Sequence, residues 1–262
     1  EHQTKAWDLS STYRNNQSLL GMLDDISPGA ALFETESFVI TSAGMAAIKK
    51  RIEEVGTPLK DWDVSIYRGI LTGFNKAFII DGRKKDELIA ADPKSAEIIK
   101  PILRGRDIKR YRAEFADLWL INTHNGYEDV RPIDVDDYPA IKAHLDQFSE
   151  QLAKRQDKGK TPYNLRNCAY LPEFEKEKIV YPDIMRLPRG SNSFADFPYM
   201  FLDNEGYYAE ATNFVLTGEY IRTLLAVMTS ELGIYSFISF YSGPIFDSKG
   251  FRYKKAYLEN LP

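Results

Sequence analysis

The chain has 262 residues, 44% of them apolar and 13% aromatic, which is material for one large globular domain or two small ones and excludes a disordered composition. The formal net charge is -4, so no global positive field draws the molecule to nucleic acid; such binding has to come from local patches. The one cysteine, Cys168, excludes an internal disulfide framework and a multi-thiolate metal site, and it fits a reducing cytoplasmic setting.

No apolar run approaches the length of a membrane span. The chain opens on Glu1-His2-Gln3-Thr4-Lys5, which is not a signal peptide, and closes on Leu261-Pro262 without a polar tail. These ends read as a segment of a longer protein.

Asn15 to Asp25 is predicted as a short helix, stopped by Ser27-Pro28-Gly29. Ala43 to Val55 is a firmer helix, capped by Thr41 or Ser42 and ended by Gly56 and Pro58. Gly56 to Asp63 is a connector that Trp62 docks. From Ile66 to Asp81, two β-prone runs flank a polar centre, which predicts a hairpin with Gly73 in the left-handed conformation. Its tip carries Arg68, Thr72, Asn75 and Lys76, which can touch a ligand; a plain solvated turn is the alternative.

A helix near Asp86 to Ala91 is broken by Asp92-Pro93, and a second short helix is predicted from Ser95 towards Ile102. Leu103 to Tyr111 is a basic turn or strand entry, and Leu118 to Asn122 a short strand. Pro139 to Arg155 is the clearest amphipathic helix, with Ile141, Leu145, Phe148 and Leu152 at helical spacing. Gln156 to Asn167 is a basic loop, Lys178 to Tyr181 a strand, and Pro188 to Pro198 a long loop. Tyr199 to Leu202 and Tyr207 to Ala209 are predicted to pair across Asp203-Asn204-Glu205-Gly206. Phe214 to Leu216 adds a strand, and Glu219 to Phe240 one long apolar helix. The sum is an α+β fold with mixed short-stranded sheets, peripheral helices and a long C-terminal helix. No βαβ rhythm points to a doubly wound sheet.

Charge is segregated. Residues 60–112 carry thirteen Lys or Arg against eight acids, residues 113–153 two against nine, and residues 154–190 nine against five. The basic segments also hold turns and aromatics such as Tyr67, Tyr111 and Tyr163. Basic side chains can neutralise phosphates, and Arg, Asn and Thr can read base edges; solvated faces are the alternative.

Catalytic signatures are lacking in the sequence. His2, His124 and His144 have no metal-ligand spacing, and Cys168 has no catalytic-cysteine context. There is no nucleophile elbow, phosphate loop, dinucleotide fingerprint or Asn-Pro-Pro-Tyr type methyltransferase loop. A metal nuclease built on Asp92, Asp183 or Asp247 is an alternative of low motif specificity.

Four blocks carry a family resemblance. They are Gly69-Ile70-Leu71-Thr72-Gly73-Phe74-Asn75-Lys76-Ala77-Phe78, Leu103 to Tyr111, Thr161 to Tyr181, and Leu224 to Leu232 with Tyr257 to Pro262. Over residues 60–262 the chain resembles the TaqI-like specificity domain, the target recognition domain of restriction-modification enzymes and adenine-specific DNA methyltransferases. The first block is close to the family's Gly-Ile-x-Thr-Gly-x-Asn-x-Ala-Phe. Met228-Thr229-Ser230 departs from the family's frequent Leu-Asn-Ser.

The resemblance implies a domain that docks on duplex DNA and reads a short sequence without chemistry of its own. It makes residues 1–59 a helical lead-in from an upstream methyltransferase or nuclease part of the same protein. S-adenosylmethionine, and Mg2+ for a cleaving parent, are expected in that part and no cofactor in this one. Phosphate contacts are then assigned to Lys76, Arg104, Lys109, Arg110, Lys158 and Lys160. Base readers are sought among Arg68, Asn75, Arg106, Arg166, Arg186, Arg189 and Asn192, with Thr72 and Tyr163 completing the set. Arg106-Asp107 can instead be an internal pair. Gly69, Gly73, Ala77 and Phe78 read as scaffold. A protein-interaction module, docking a partner through the Glu219 to Phe240 helix, is the remaining alternative.

Overall fold

The computed structural model of the chain describes residues 5–6, 29–33, 38–41, 43–187, 195–242 and 250–262. Strands β1 (Lys5–Ala6), β2 (Gly29–Phe33) and β3 (Phe38–Thr41) form a small antiparallel sheet. The helix predicted over Asn15 to Asp25 lies outside the described residues. Helix α1 (Ala43–Val55) has the bounds its glycine-proline stop predicts. The half-buried Trp62 indole donates to the Thr57 carbonyl at 3.0 Å and packs on the core, which docks the connector.

The body of the molecule follows. It runs β4 (Val64–Arg68), α2 (Asn75–Phe78), β5 (Ile79–Asp81), α3 (Gly82–Ala91), β6 (Ile99–Leu103), β7 (Ile108–Lys109), β8 (Arg112–Ala113) and β9 (Leu118–Ile121). Next come α4 (Pro139–Asp146), α5 (Ser149–Lys154), β10 (Lys178–Pro182), β11 (Ile184–Arg186), β12 (Phe201–Asp203), β13 (Tyr208–Ala209) and β14 (Asn213–Gly218). The chain closes with α6 (Ile221–Thr229), α7 (Glu231–Ser236), β15 (Gly250–Arg252) and α8 (Lys255–Leu258).

Two four-stranded sheets organise this α+β fold. One is antiparallel in the order β12-β10-β14-β4; the other has the order β13-β6-β9-β5, with β13 parallel to β6. The first sheet separates two apolar cores. Side chains alternate faces along a strand, and the alternation is visible in the burial. Tyr67, Val180 and Val215 meet one core, while Ile66, Ile179, Tyr181 and Leu216 meet the other. All five residues of β10 are buried, as suits a strand covered on both faces. The second sheet and α4–α5 close the first core with Ile102, Leu120, Ile141 and Leu145; α6 to α8 close the second with Leu224, Ile234 and Leu258.

Five predicted elements differ. The Ile66–Asp81 hairpin does not form: β4 pairs with β14 and β5 with β9, so the two runs belong to different sheets. A helical turn, Asn75–Phe78, replaces the tip because burying Ala77 and Phe78 outweighs local turn chemistry. The second short helix near Ile102 is strand β6, preceded by a 3-10 turn at Pro93–Glu97. β12 and β13 do not pair with each other. Asp203 accepts from the backbone N–H of Glu205 and of Tyr207, both at 2.9 Å, and turns the chain into the second sheet.

The single amphipathic helix from Pro139 to Arg155 is two helices, although Ile141, Leu145 and Leu152 all face the core as their spacing predicts. The long C-terminal helix also breaks. Ser230 leaves helical geometry and its hydroxyl caps α7 by accepting from Gly233 N–H at 3.0 Å. The two arms, Ile221–Thr229 and Glu231–Tyr241, meet at 68°. Among the described residues no single helix is long and apolar enough to cross a membrane.

Candidate nucleic-acid interface

The Gly69–Phe78 block forms the seam between the two sheets. Gly69 N–H donates to the Asn213 carbonyl at 2.8 Å and Ile70 N–H to the Ala209 carbonyl at 2.7 Å. A Cβ on Gly69 would lie 2.1 Å from the Glu210 carbonyl oxygen, so this approach demands glycine. Gly73 takes φ +68, as its turn role predicts. Gly69→Ala is expected to cost about 1–3 kcal/mol through overpacking. A shift of the urea midpoint checks this; an unchanged midpoint would show that the seam relaxes freely.

Thr72 is 1% exposed. Its hydroxyl donates to Asn75 Oδ1 at 2.5 Å, and Asn75 Nδ2 donates to Glu210 Oε1 at 2.6 Å. Thr72 is therefore withdrawn as a DNA contact: burial leaves it no access. Asn75 is exposed but serves the seam, and Lys76 beside it is exposed.

The second block is a 3-10 turn, Gly105–Asp107. Its internal pair is Arg104 with Asp107, through Nε–Oδ2 at 2.9 Å and Nη2–Oδ1 at 2.8 Å, instead of Arg106 with Asp107. One helical turn brings residues three apart together, which leaves Arg106 exposed. Burial raises the Asp107 pKa, but the Arg104 hydrogen bonds outweigh it and hold the carboxyl below its ordinary range. Arg110 donates to the carbonyls of Ala195 at 3.1 Å, Phe197 at 2.5 Å and Thr229 at 2.9 Å. Arg104 and Arg110 thus spend their guanidinium donors inside the fold, which revises their assignment as phosphate contacts. Lys109 donates to the Arg106 carbonyl at 2.6 Å and lies 3.5 Å from Glu114.

A cleft of about 740 Å³ opens beside this turn. Arg106, Lys109, Arg112 and Arg186 line it, together with Asp183, Glu114 and Asp196. Arg112 is absent from the candidates read from sequence, and Asp183 was considered there only as a nuclease carboxylate. Arg112 follows Tyr111, where the motif block stops, and only the β7–β8 pairing of Lys109 with Arg112 places it on the cleft. Arg189 and Asn192 lie outside the described residues.

A second pocket, of about 320 Å³, lies beside the start of the first motif block, Arg68 to Leu71. Arg68 and Arg166 line it with Asn122, His124 and Cys168. Arg68 Nε donates to the Ala211 carbonyl at 2.7 Å, and the next residue, Thr212, lines the first cleft. Arg166 pairs with Asp157 at 3.2 Å.

The basic loop 156–167 is held by a residue not singled out from sequence. Arg155, 7% exposed, donates to the carbonyls of Thr72 at 2.5 Å, Asp157 at 2.7 Å and Pro162 at 3.0 Å, and to that of Asn164. Burial pulls its pKa down to about 10, so it stays charged at neutral pH. The loop presents Lys158 and Lys160 as exposed residues; Lys158 Nζ reaches the Ala153 carbonyl at 2.7 Å. Tyr163 OH donates to Asp146 Oδ1 at 2.5 Å, which holds it within the fold.

Of the alternative catalytic residues, Asp183 lines the basic cleft. Asp92 caps the Pro93–Glu97 turn through Lys94 N–H and Ser95 Oγ, each at 3.2 Å. Asp247 lies outside the described residues. Among the described residues no group of three His, Cys, Asp or Glu side chains is placed to hold a metal ion. Burial pushes the Cys168 thiol up to about 11, the opposite of an activated nucleophile.

Comparison with known proteins adds the following. No family model matches the chain. In sequence it is 27% identical over 157 residues to the type II methyltransferase M.BstVI of Geobacillus stearothermophilus, a match covering 59% of the chain and 25% of that protein. In fold it is similar to the type IIL restriction-modification enzyme MmeI, whose structure was determined in complex with DNA. The TM-score is 0.54 at 12% identity, over 78% of this chain and 25% of that one. The type IIG restriction endonuclease BpuSI superposes with a TM-score of 0.47 at 15% identity, over 82% of the chain and 25% of its own. The chain spans about a quarter of the length of each, and its similarity is to restriction-modification enzymes.

Proposed function

We propose that residues 60–262 form the DNA target recognition domain of a restriction-modification enzyme, of the TaqI-like specificity type, non-catalytic in itself. A methyltransferase part of the same protein, with or without a nuclease, then supplies the chemistry and takes S-adenosylmethionine, and Mg2+ where it cleaves. The observation that carries the reading is the basic cleft beside the Gly105–Asp107 turn. Arg106, Lys109, Arg112 and Arg186 gather there in a chain whose net charge is -4. Concentrating positive charge in a concavity raises the local affinity for a polyanion. Arg68, Lys158, Lys160 and Arg166 extend the basic surface along the second pocket and its loop.

The test is duplex binding by the full-length protein across a salt series. Arg106→Glu with Arg112→Glu is expected to weaken binding to every sequence by at least about tenfold and to flatten the log–log salt slope by about two. Arg104→Ala should act mainly on stability, since Asp107 already holds its guanidinium. Unchanged affinity after the double reversal would remove the cleft from the interface.

A second reading, a protein-docking face, has its own observation. Val227, Leu232 and Tyr235 on α6 and α7 are 41%, 62% and 39% exposed. It is compatible with DNA recognition, because that face is built by the C-terminal helices and the cleft by β7, β8 and β11.

A further inference from the structure

We infer that the pocket of about 320 Å³ beside the first motif block seats one phosphate of the DNA backbone, with Asn122 and His124 as its hydrogen-bond donors. The inference rests on the recognition reading above and adds to it a phosphate site that shares no lining residue with the basic cleft.

Two donors in this pocket lack partners. Asn122 is 4% exposed, and its backbone is fixed: the N–H donates to the Ile98 carbonyl at 2.7 Å, and the carbonyl accepts from His124 N–H at 2.9 Å. Its side chain makes no hydrogen bond among the described residues. Oδ1 is sealed and Nδ2 is not, so the amide nitrogen is the atom left to the pocket. Buried polar side chains are nearly always satisfied, so this one calls for an external partner, and an amide nitrogen only donates. His124 lines the same pocket. Its Nδ1 accepts from Gly126 N–H at 3.2 Å, and burial pulls its pKa down, so at neutral pH the ring is neutral with its proton on Nε2. Nε2 also has no partner among the described residues, and it is not sealed.

The charge around these donors has one sign. Arg68 and Arg166, both exposed, line the pocket, and no carboxylate does. Arg68 Nε is held by the Ala211 carbonyl, which leaves its Nη groups without a partner among the described residues; Arg166 is shared with Asp157 at 3.2 Å. Open donors beside two guanidinium groups suit a ligand that is anionic and only accepts, which describes a backbone phosphate. Phosphates stand on the outside of a duplex and enter a concavity with every base still paired, whereas a base has to leave the stack first. Ile70, Leu71 and Leu165 supply an apolar wall for the adjoining deoxyribose.

The experiment uses the full-length protein and the duplex it selects from a randomised pool. Each phosphate of that duplex is replaced in turn by a neutral methylphosphonate, and binding is measured for the wild type, Asn122→Asp and His124→Asn. Asn122→Asp keeps the side-chain shape and sets a carboxylate where the donor was. His124→Asn keeps an acceptor for the Gly126 N–H and removes the Nε2 donor. At one phosphate, neutralisation is expected to weaken the wild type about tenfold and His124→Asn by less than about threefold. Asn122→Asp is expected to bind the unmodified duplex about tenfold more weakly than the wild type, and to regain affinity when that same phosphate is neutral, because its carboxylate then faces no anion. Loss of folding cannot produce such a recovery. Wild-type affinity of both variants for the unmodified duplex overturns the inference. So does a methylphosphonate profile that is the same in all three proteins. A wild type that selects no sequence overturns the recognition reading itself.

Discussion

Replacing Asp203 with alanine is expected to lower the unfolding free energy by about 3–5 kcal/mol. Asp203 and Lys178 face each other across β12 and β10, and both side chains are fully buried, with Nζ to Oδ2 at 2.5 Å. Burial pulls the Lys178 pKa down, and Asp203 opposes that pull. Lys178 also donates to the Phe174 carbonyl at 2.6 Å. Removing the carboxylate leaves an ammonium in an apolar interior and strips two backbone N–H groups, of Glu205 and Tyr207, of their acceptor. A double replacement, Lys178→Met with Asp203→Leu, should be less destabilising than the single one, since no unpaired charge remains. Equilibrium urea unfolding of the three variants is the measurement. A loss below about 1 kcal/mol for Asp203→Ala would mean that water reaches the pair.

Arg155→Ala is expected to cost about 3–5 kcal/mol as well, by the penalty for breaking a buried charged network. Four carbonyls lose their donor, and the guanidinium no longer covers the Phe78 ring, whose centroid is 4.5 Å away. Lysine should not restore the loss, because a compact ammonium cannot fork to four acceptors. The variant also reports on function. The clamp ties the loop bearing Lys158, Lys160 and Arg166 to the Thr72 carbonyl of the first motif block. Duplex binding should therefore fall together with stability. Arg166→Ala, by contrast, should leave stability within about 0.5 kcal/mol, because its pair with Asp157 is 62% exposed on the arginine side. Parallel loss of stability in both variants would contradict the distinction between clamp and surface.

These two residues show where the fold hides its determinants. Lys178 opens a predicted strand and reads as a surface lysine at its edge; nothing nearby announces the Asp203 partner twenty-five residues on. Arg155 reads as the polar end of an amphipathic helix. The candidate interface divides in the same way. Arg106 was recognisable as a basic turn residue, but so were Arg104 and Arg110, and sequence cannot tell which guanidinium is spent indoors. The separation comes from the 3-10 turn that brings Arg104 onto Asp107 and from the carbonyls of residues 195, 197 and 229 that collect around Arg110.

What sequence alone determined is what neighbouring residues control. The bounds of α1, the stop at Asp92-Pro93, the strands at Lys178 and Phe214, the core face of Ile141, Leu145 and Leu152, and the α+β class all follow from caps, breakers and periodicity acting within a turn or two. The scaffold role of Gly69, Gly73, Ala77 and Phe78 belongs with them: one stands at a backbone approach closed to a Cβ, one takes φ +68, and two are wholly buried. Tertiary structure decided which strands pair, where the long helix bends, and which arginines stay available. It turned the Ile66–Asp81 run from a hairpin into a bridge between two sheets, because β14 and β9 offered buried partners whose hydrogen bonds and apolar surface exceed what a two-residue turn can supply. It also placed Asp183 beside the basic cleft, through backbone bonds to Thr212 and Tyr253, both distant in the chain.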